Sequence, residues 1–174
     1  MKIIRITDIS NIYFEQAWKL YEDSFPTDER RQISNQTNIM EKINYNFEII
    51  TKDNHFIGIL LWWDYNNFRY IEHLATLPKE RCKGFGKTIL EQFINRDTKP
   101  IILEVDLPES NINKRRIEFY KRIGFKLNNH YYKQTPYNKE SSSVELLLMS
   151  YPSCISKTML DVFLKNIASN KIDT

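Results

Sequence analysis

The sequence predicts a single α/β domain over residues 1–174, built on a mixed, mostly antiparallel sheet of six to seven strands flanked by helices, with a further C-terminal helix. Three observations carry this. The apolar runs Phe47 to Thr51, His55 to Trp63 and Phe68 to Leu77 are separated only by short polar turns at Lys52-Asp53-Asn54 and Asn66-Asn67, as hairpins require. A helix-spaced segment with apolar residues at 89, 90, 93 and 94 lies between the third run and Ile101 to Val105, which makes a strand-helix-strand crossover. Finally, apolar residues recur at helical spacing near both ends of the chain.

In order, Lys2 to Ile6 alternates as a short strand, and Phe14, Ala17, Trp18, Tyr21 and Phe25 mark a first amphipathic helix that Pro26 stops. Thr27 or Asp28 is placed to cap a second helix with Glu29-Arg30-Arg31 in its first turn and Ile39, Met40 and Ile43 on its later face. The charges here fit either solvated helix-start groups or a lip over a binding cleft. The hairpin strands and the crossover follow. Ile101 to Val105 is short and β-branched enough for a buried strand. Asn113 to Gly124 reads as a helix closed by a left-handed glycine cap. Phe125 to Lys133 and Val144 to Met149 complete the strands, with a polar loop from Thr135 to Ser143. The core spans about residues 2–150. In the extension at about 153–170, Met159, Leu160, Phe163, Leu164 and Ile167 mark a helix that packs on the sheet or on a second copy in a homodimer.

Composition excludes several classes. A net charge of +3 with dispersed lysines and arginines gives no broad nucleic-acid surface. The two cysteines, Cys82 and Cys154, and three separated histidines have no zinc-ligand spacing, so no metal is expected and the setting reads as reducing and cytoplasmic. Neither a signal-peptide core nor an apolar run long enough for a membrane span is present, so a soluble protein without a membrane partner is expected.

Of only four glycines, two fall in Leu74-Ala75-Thr76-Leu77-Pro78-Lys79-Glu80-Arg81-Cys82-Lys83-Gly84-Phe85-Gly86-Lys87, at a helix start. Unpaired amides and the positive end of the helix dipole make such a start a pocket for phosphate oxygens. An ordinary strand-turn-helix connection with solvated lysines has the same composition. Neither the nucleoside-triphosphate loop nor the dinucleotide-binding glycine pattern is present. Arg81-Cys82-Lys83-Gly84-Phe85-Gly86 resembles the Arg/Gln-x-x-Gly-x-Gly/Ala loop of the GNAT family of N-acetyltransferases, although Cys82 stands where glycine is common. Leu74-Ala75-Thr76 and Pro78 keep that family's spacing. A second stretch, Asn113 to Phe125, resembles the family's Asn-x-x-Ala-x-x-x-Tyr-x-x-x-Gly-Phe, departing at Arg115-Arg116, which fit a solvated face or a reach toward phosphates.

The resemblance covers residues 47 to 150 well and implies transfer of the acetyl group of acetyl-CoA to a primary amine by direct attack in a ternary complex, with coenzyme A as co-product. The acceptor is an amine-bearing small molecule or protein. It implies that Arg81, Cys82, Lys83, Gly84, Phe85, Gly86 and Lys87 hold the pyrophosphate. Main-chain groups of Leu74, Ala75 and Thr76 meet the pantetheine where two strands splay, and Asn113 meets that arm or the adjacent backbone. Tyr120 protonates the leaving sulfur; as a plain core tyrosine it would instead have its hydroxyl satisfied. Alternation along the strand puts residues 70, 72, 74 and 76 on one face and turns His73 away; the resemblance, in which bases come from this strand, then implies Glu72 as the base, directly or through a water it holds, helped by Tyr70. A surface glutamate in an ion pair is the plainer alternative for Glu72. A catalytically silent coenzyme-A-binding or interaction module on the same fold satisfies the same motifs.

Overall fold

The computed structural model describes residues 1–137 and 143–172. Its elements are β1 (Lys2–Ile6), α1 (Phe14–Ser24), α2 (Ile33–Met40), β2 (Tyr45–Lys52), β3 (His55–Asp64), β4 (Arg69–Thr76), α3 (Phe85–Ile94), β5 (Ile101–Asp106), α4 (Asn111–Ile123), β6 (Lys126–Leu127), β7 (Tyr132–Gln134), β8 (Val144–Tyr151) and α5 (Lys157–Ile172). The strands form one sheet in the order β1-β2-β3-β4-β5-β8-β6, with β7 also on β8. Among the described residues only β4 and β5 run parallel, as the crossover through α3 requires. Helices α1, α2 and α5 cover one face and α3 and α4 the other, so β2 and β3 are buried on both sides: β3 reads as a near-continuous apolar run, whereas β2 buries polar Asn46 and Glu48, the latter paired with Arg96 at 2.7 Å.

Two expectations change in detail. The sheet has eight strands rather than six to seven, because Phe125 to Lys133 is not one strand. Buried Asn128 interrupts it: its Nδ2 donates to Leu148 O (3.2 Å) and Ser150 Oγ (2.9 Å), while its Oδ1 accepts from Ile155 N (2.8 Å). The polar loop expected after β7 lies in part, at residues 138–142, outside the described residues. The second helix also starts late. Thr27–Glu29 make one 3-10 turn, Arg30 is extended, and α2 begins only at Ile33. Arg31, in the extended stretch between the two, is buried in the core.

Packing holds the crossover in place. Arg69 at the start of β4 is buried and donates to the carbonyls of Phe93 (2.6 Å), Asp97 (3.0 Å) and Lys99 (3.3 Å), satisfying acceptors that the end of α3 leaves open. The C-terminal helix packs on the sheet of its own chain. Phe163 meets Tyr70, Phe68 and Tyr132 at 5.4, 5.8 and 5.8 Å between ring centroids. Among the described residues no helix is long and apolar enough to cross a membrane.

Candidate active site

Strands β4 and β5 pair over only three positions, Arg69 with Ile101, Tyr70 with Ile102 and Ile71 with Leu103. Beyond them β4 stays on β3 as far as Thr76 and β5 stays on β8 as far as Asp106. A slot therefore opens through the middle of the sheet between residues 72–76 and 104–106. A bulge stands at its start. Leu61 pairs with His73 and Trp62 with Ile71, which leaves Glu72 as the extra residue. A bulge bends a strand and raises its local twist, which carries β4 away from β5.

The bulge also breaks the alternation. Tyr70 and Ala75 belong to the core under α1, whereas Ile71 and Leu74 belong to the side of α3 and α4. His73, expected to turn away, faces α1: its ring lies edge-on to Phe25 (4.4 Å) and Tyr21 (4.9 Å), and Nε2–H donates to Glu29 O (2.9 Å). Glu72 points the same way, into a bidentate pair with Arg31 at 2.6 and 2.8 Å. Both side chains are out of solvent, at 0% and 1% exposure, so the partial exposure of Glu72 is that of its main chain in the slot. The shared face with Leu74 and Thr76 that singled out Glu72 does not exist. Period-two reasoning cannot foresee a bulge.

Arg31 is the residue that sequence reasoning missed. Its N–H donates to Tyr21 Oη (2.9 Å), and its guanidinium lies 4.9 Å from the Tyr137 ring centroid and 5.6 Å from that of Tyr45. Burial alone would weaken its hold on a proton, but the Glu72 carboxylate overrides this and keeps Arg31 charged. Nearby, Glu104 accepts hydrogen bonds from Tyr132 Oη and Gln134 Nε2. Burial first, and then the Glu104 carboxylate, raises the pKa of Tyr70, whose buried hydroxyl has no hydrogen-bond partner among the described residues.

On the other side of the slot, β4 runs through a 3-10 turn at Pro78–Glu80 into the start of α3. Gly84 caps the helix at φ 84°, and a Cβ there would meet nothing within 4 Å. Cys82 is also left-handed, at φ 61°, a conformation that explains why glycine suits that position better. Its Sγ accepts from Arg115 at 3.4 Å, tying α4 to the loop. The first intrahelical bond is Thr88 N to Gly84 O (3.1 Å), so earlier amides of α3 remain for a ligand, with Arg81, Lys83 and Lys87 exposed around them. Gly86 serves packing: a Cβ there would meet Phe119 of α4 at 3.3 Å. Phe85 is half-buried against the core beneath α3 and α4.

Helix α4 carries the remaining residues. Ser110 Oγ caps it by accepting from Asn113 N (3.1 Å), and Asn113 Nδ2 donates to Leu107 O (3.0 Å), bracing the turn from β5. Tyr120 is 9% exposed between Phe119 and Phe125, and its hydroxyl has no hydrogen-bond partner among the described residues. Burial raises its pKa, with Arg116 pulling the other way, so at neutral pH it keeps its proton. Arg116 itself pairs with Asp106 at 2.5 Å.

Comparison with known proteins bears on the family and the fold. Residues 44–127 match the family model described as an acetyltransferase (GNAT) domain. A solved structure from Bacteroides thetaiotaomicron, described as a GNAT-family acetyltransferase, is 32% identical over 94% of this chain and 93% of its own, with a TM-score of 0.87. The fold is also that of the ribosomal-protein-S18-alanine N-acetyltransferase from Escherichia coli (17% identity, 89% and 95% of the two chains, TM-score 0.60). An aminoglycoside 6'-N-acetyltransferase complexed with coenzyme A shares it as well (16%, 86% and 96%, 0.61). No curated protein matches the chain.

Proposed function

Because the chain belongs to the GNAT acetyltransferase family, we propose that it transfers the acetyl group of acetyl-CoA to a primary amine, by direct attack in a ternary complex and as a single domain over residues 1–174. The observation that carries this is the slot between β4 and β5, which opens beside the unpaired amides at the start of α3. The site fits the coenzyme: the open space around Gly84, the backbone amides and three exposed basic side chains suit a pyrophosphate. Bound there, the coenzyme supplies an activated acetyl thioester. Backbone from Gly84 to Lys87, with Arg81, Cys82 and Lys83, holds the anionic end. The slot-facing main chain of Leu74, Ala75 and Thr76 orients the arm, and Asn113 braces the facing turn. Tyr120, protonated and without a competing hydrogen bond, delivers its proton to the departing sulfur. Glu72, engaged by Arg31, shapes the slot edge. Exposed, unbridged Cys82 and Cys154 favour a reducing, cytoplasmic setting.

Incubating the protein with acetyl-CoA and a panel of primary amines, while following free thiol and N-acetylated product by mass, tests the reading. Thiol release coupled to amide formation is expected. The pairing of Glu72 with Arg31 favours one other reading, a coenzyme-binding module without turnover. Coenzyme binding with no amide from any amine would decide for that module.

A further inference from the structure

With Glu72 locked in an ion pair, the proton of the incoming ammonium needs another acceptor at the slot. The acceptor-side rim, under α1, carries four relevant carboxylates. Glu72 is held by Arg31, Asp106 by Arg116, and Glu104 accepts from Tyr132 and Gln134. Glu29 differs. Its carboxylate takes part in no hydrogen bond or ion pair among the described residues. Its position is nonetheless fixed, because its carbonyl accepts from His73 Nε2 (2.9 Å) and so pins the turn after α1 over the first residue past the bulge.

We propose that Glu29 is the general base, the group that receives the proton of the acceptor's ammonium. This rests on the acetyl-transfer reading and supplies the base that the paired Glu72 lacks. The charged groups that act on it are the carboxylates of Asp106 and Glu104 on β5, the Arg116 guanidinium on α4 and Asp28 on its own turn. Half-burial, then Asp106, raises the proton affinity of Glu29 above that of an ordinary glutamate, with Arg116 opposing. That direction brings a carboxylate closer to the working pH, where a general base is most effective. One proton passes from the ammonium nitrogen to a Glu29 oxygen and on to water at its exposed side. The freed amine then bonds to the acetyl carbon as the carbon–sulfur bond breaks. Its second proton leaves to solvent and balances the one Tyr120 gives to sulfur.

The test compares wild type, E29Q and E29D on the best amine of the panel across pH, with coenzyme A affinity measured by calorimetry. E29Q is expected to lower kcat at neutral pH by about a hundred- to ten-thousand-fold, with the deficit shrinking as pH rises and free amine forms unaided. E29D restores part of the rate, and coenzyme affinity stays unchanged in both. An E29Q profile that superimposes on wild type overturns the assignment, as does loss of coenzyme binding in E29Q, which would make Glu29 a support of the loop. A wild type that acetylates no amine removes the acetyl-transfer reading, and this assignment with it. Failure of E29Q to differ in an active enzyme removes this assignment alone.

Discussion

Arg31 and Glu72 meet as a bidentate pair in a place that neither side chain shares with solvent, joining the connection between α1 and α2 to the bulge of β4. Removing one partner of such a pair strands a buried charge, which typically costs about 3–5 kcal/mol, whereas replacing both with apolar groups can be close to neutral. Arg31→Met should therefore destabilise the protein by about 3–5 kcal/mol in chemical denaturation. Adding Glu72→Leu should recover most of the loss. Losses that simply add would show that the two side chains act separately.

Gly84 separates backbone geometry from side-chain clash, because an added Cβ meets nothing. Gly84→Ala must still hold a left-handed conformation, at a cost of about 1–2 kcal/mol. If ligand-ready loop geometry bears that cost, coenzyme affinity falls by about tenfold, the equivalent of roughly 1.4 kcal/mol. Calorimetry with coenzyme A reads this directly, and an unchanged affinity would place the pyrophosphate elsewhere. Gly86 is a poorer probe, since an added Cβ would come within 3.3 Å of the Phe119 ring and mix packing with loop geometry.

Tyr120→Phe removes a hydroxyl that bonds to nothing among the described residues, so thermal stability should not fall. Turnover at saturating substrates should drop by about a hundred- to ten-thousand-fold, the range for a general acid, with coenzyme binding retained. Wild-type turnover in this variant would make Tyr120 a packing residue.

Glu29 also predicts a stability effect with a definite sign. Its folded pKa is raised, so folding favours the protonated form. The native state is thus favoured by Glu29 below the unfolded value of about 4.3, and that contribution is lost as pH rises through the folded value. Glu29→Gln mimics the protonated group. Its melting temperature should exceed that of wild type near pH 7 and converge with it below about pH 4. A variant less stable than wild type at neutral pH would contradict the raised proton affinity.

The element order was legible because it rests on periodicity: α1 ends before Pro26, α4 ends at Gly124, and the crossover lies between β4 and β5. The loop at the start of α3 was legible because glycine placement is local: Gly84 caps that helix in the left-handed conformation. The opposite side of the slot was not. Face assignment along β4 fails at one extra residue, Glu72, and a bulge leaves no mark in a run such as Arg69 to Thr76. Arg31 looked like a helix-start charge because its partner lies 41 positions away. Asn128 split a strand through contacts with Ser150 and Ile155, again distant in the chain.

The short junction of three residue pairs between β4 and β5 leaves the protein with two sheet edges in its interior. An unpaired edge on a protein's rim invites another strand; here the invitation faces inward, and an extended chain carrying its own hydrogen-bonding groups would answer it. A ligand of that shape would act as a missing strand, joining the β1–β4 plate to the β5–β8 plate. Its release would return the molecule to two plates meeting along a short seam. Occupancy and stiffness would then rise and fall together, and amides of residues 73–76 should exchange with solvent more slowly when the slot is filled.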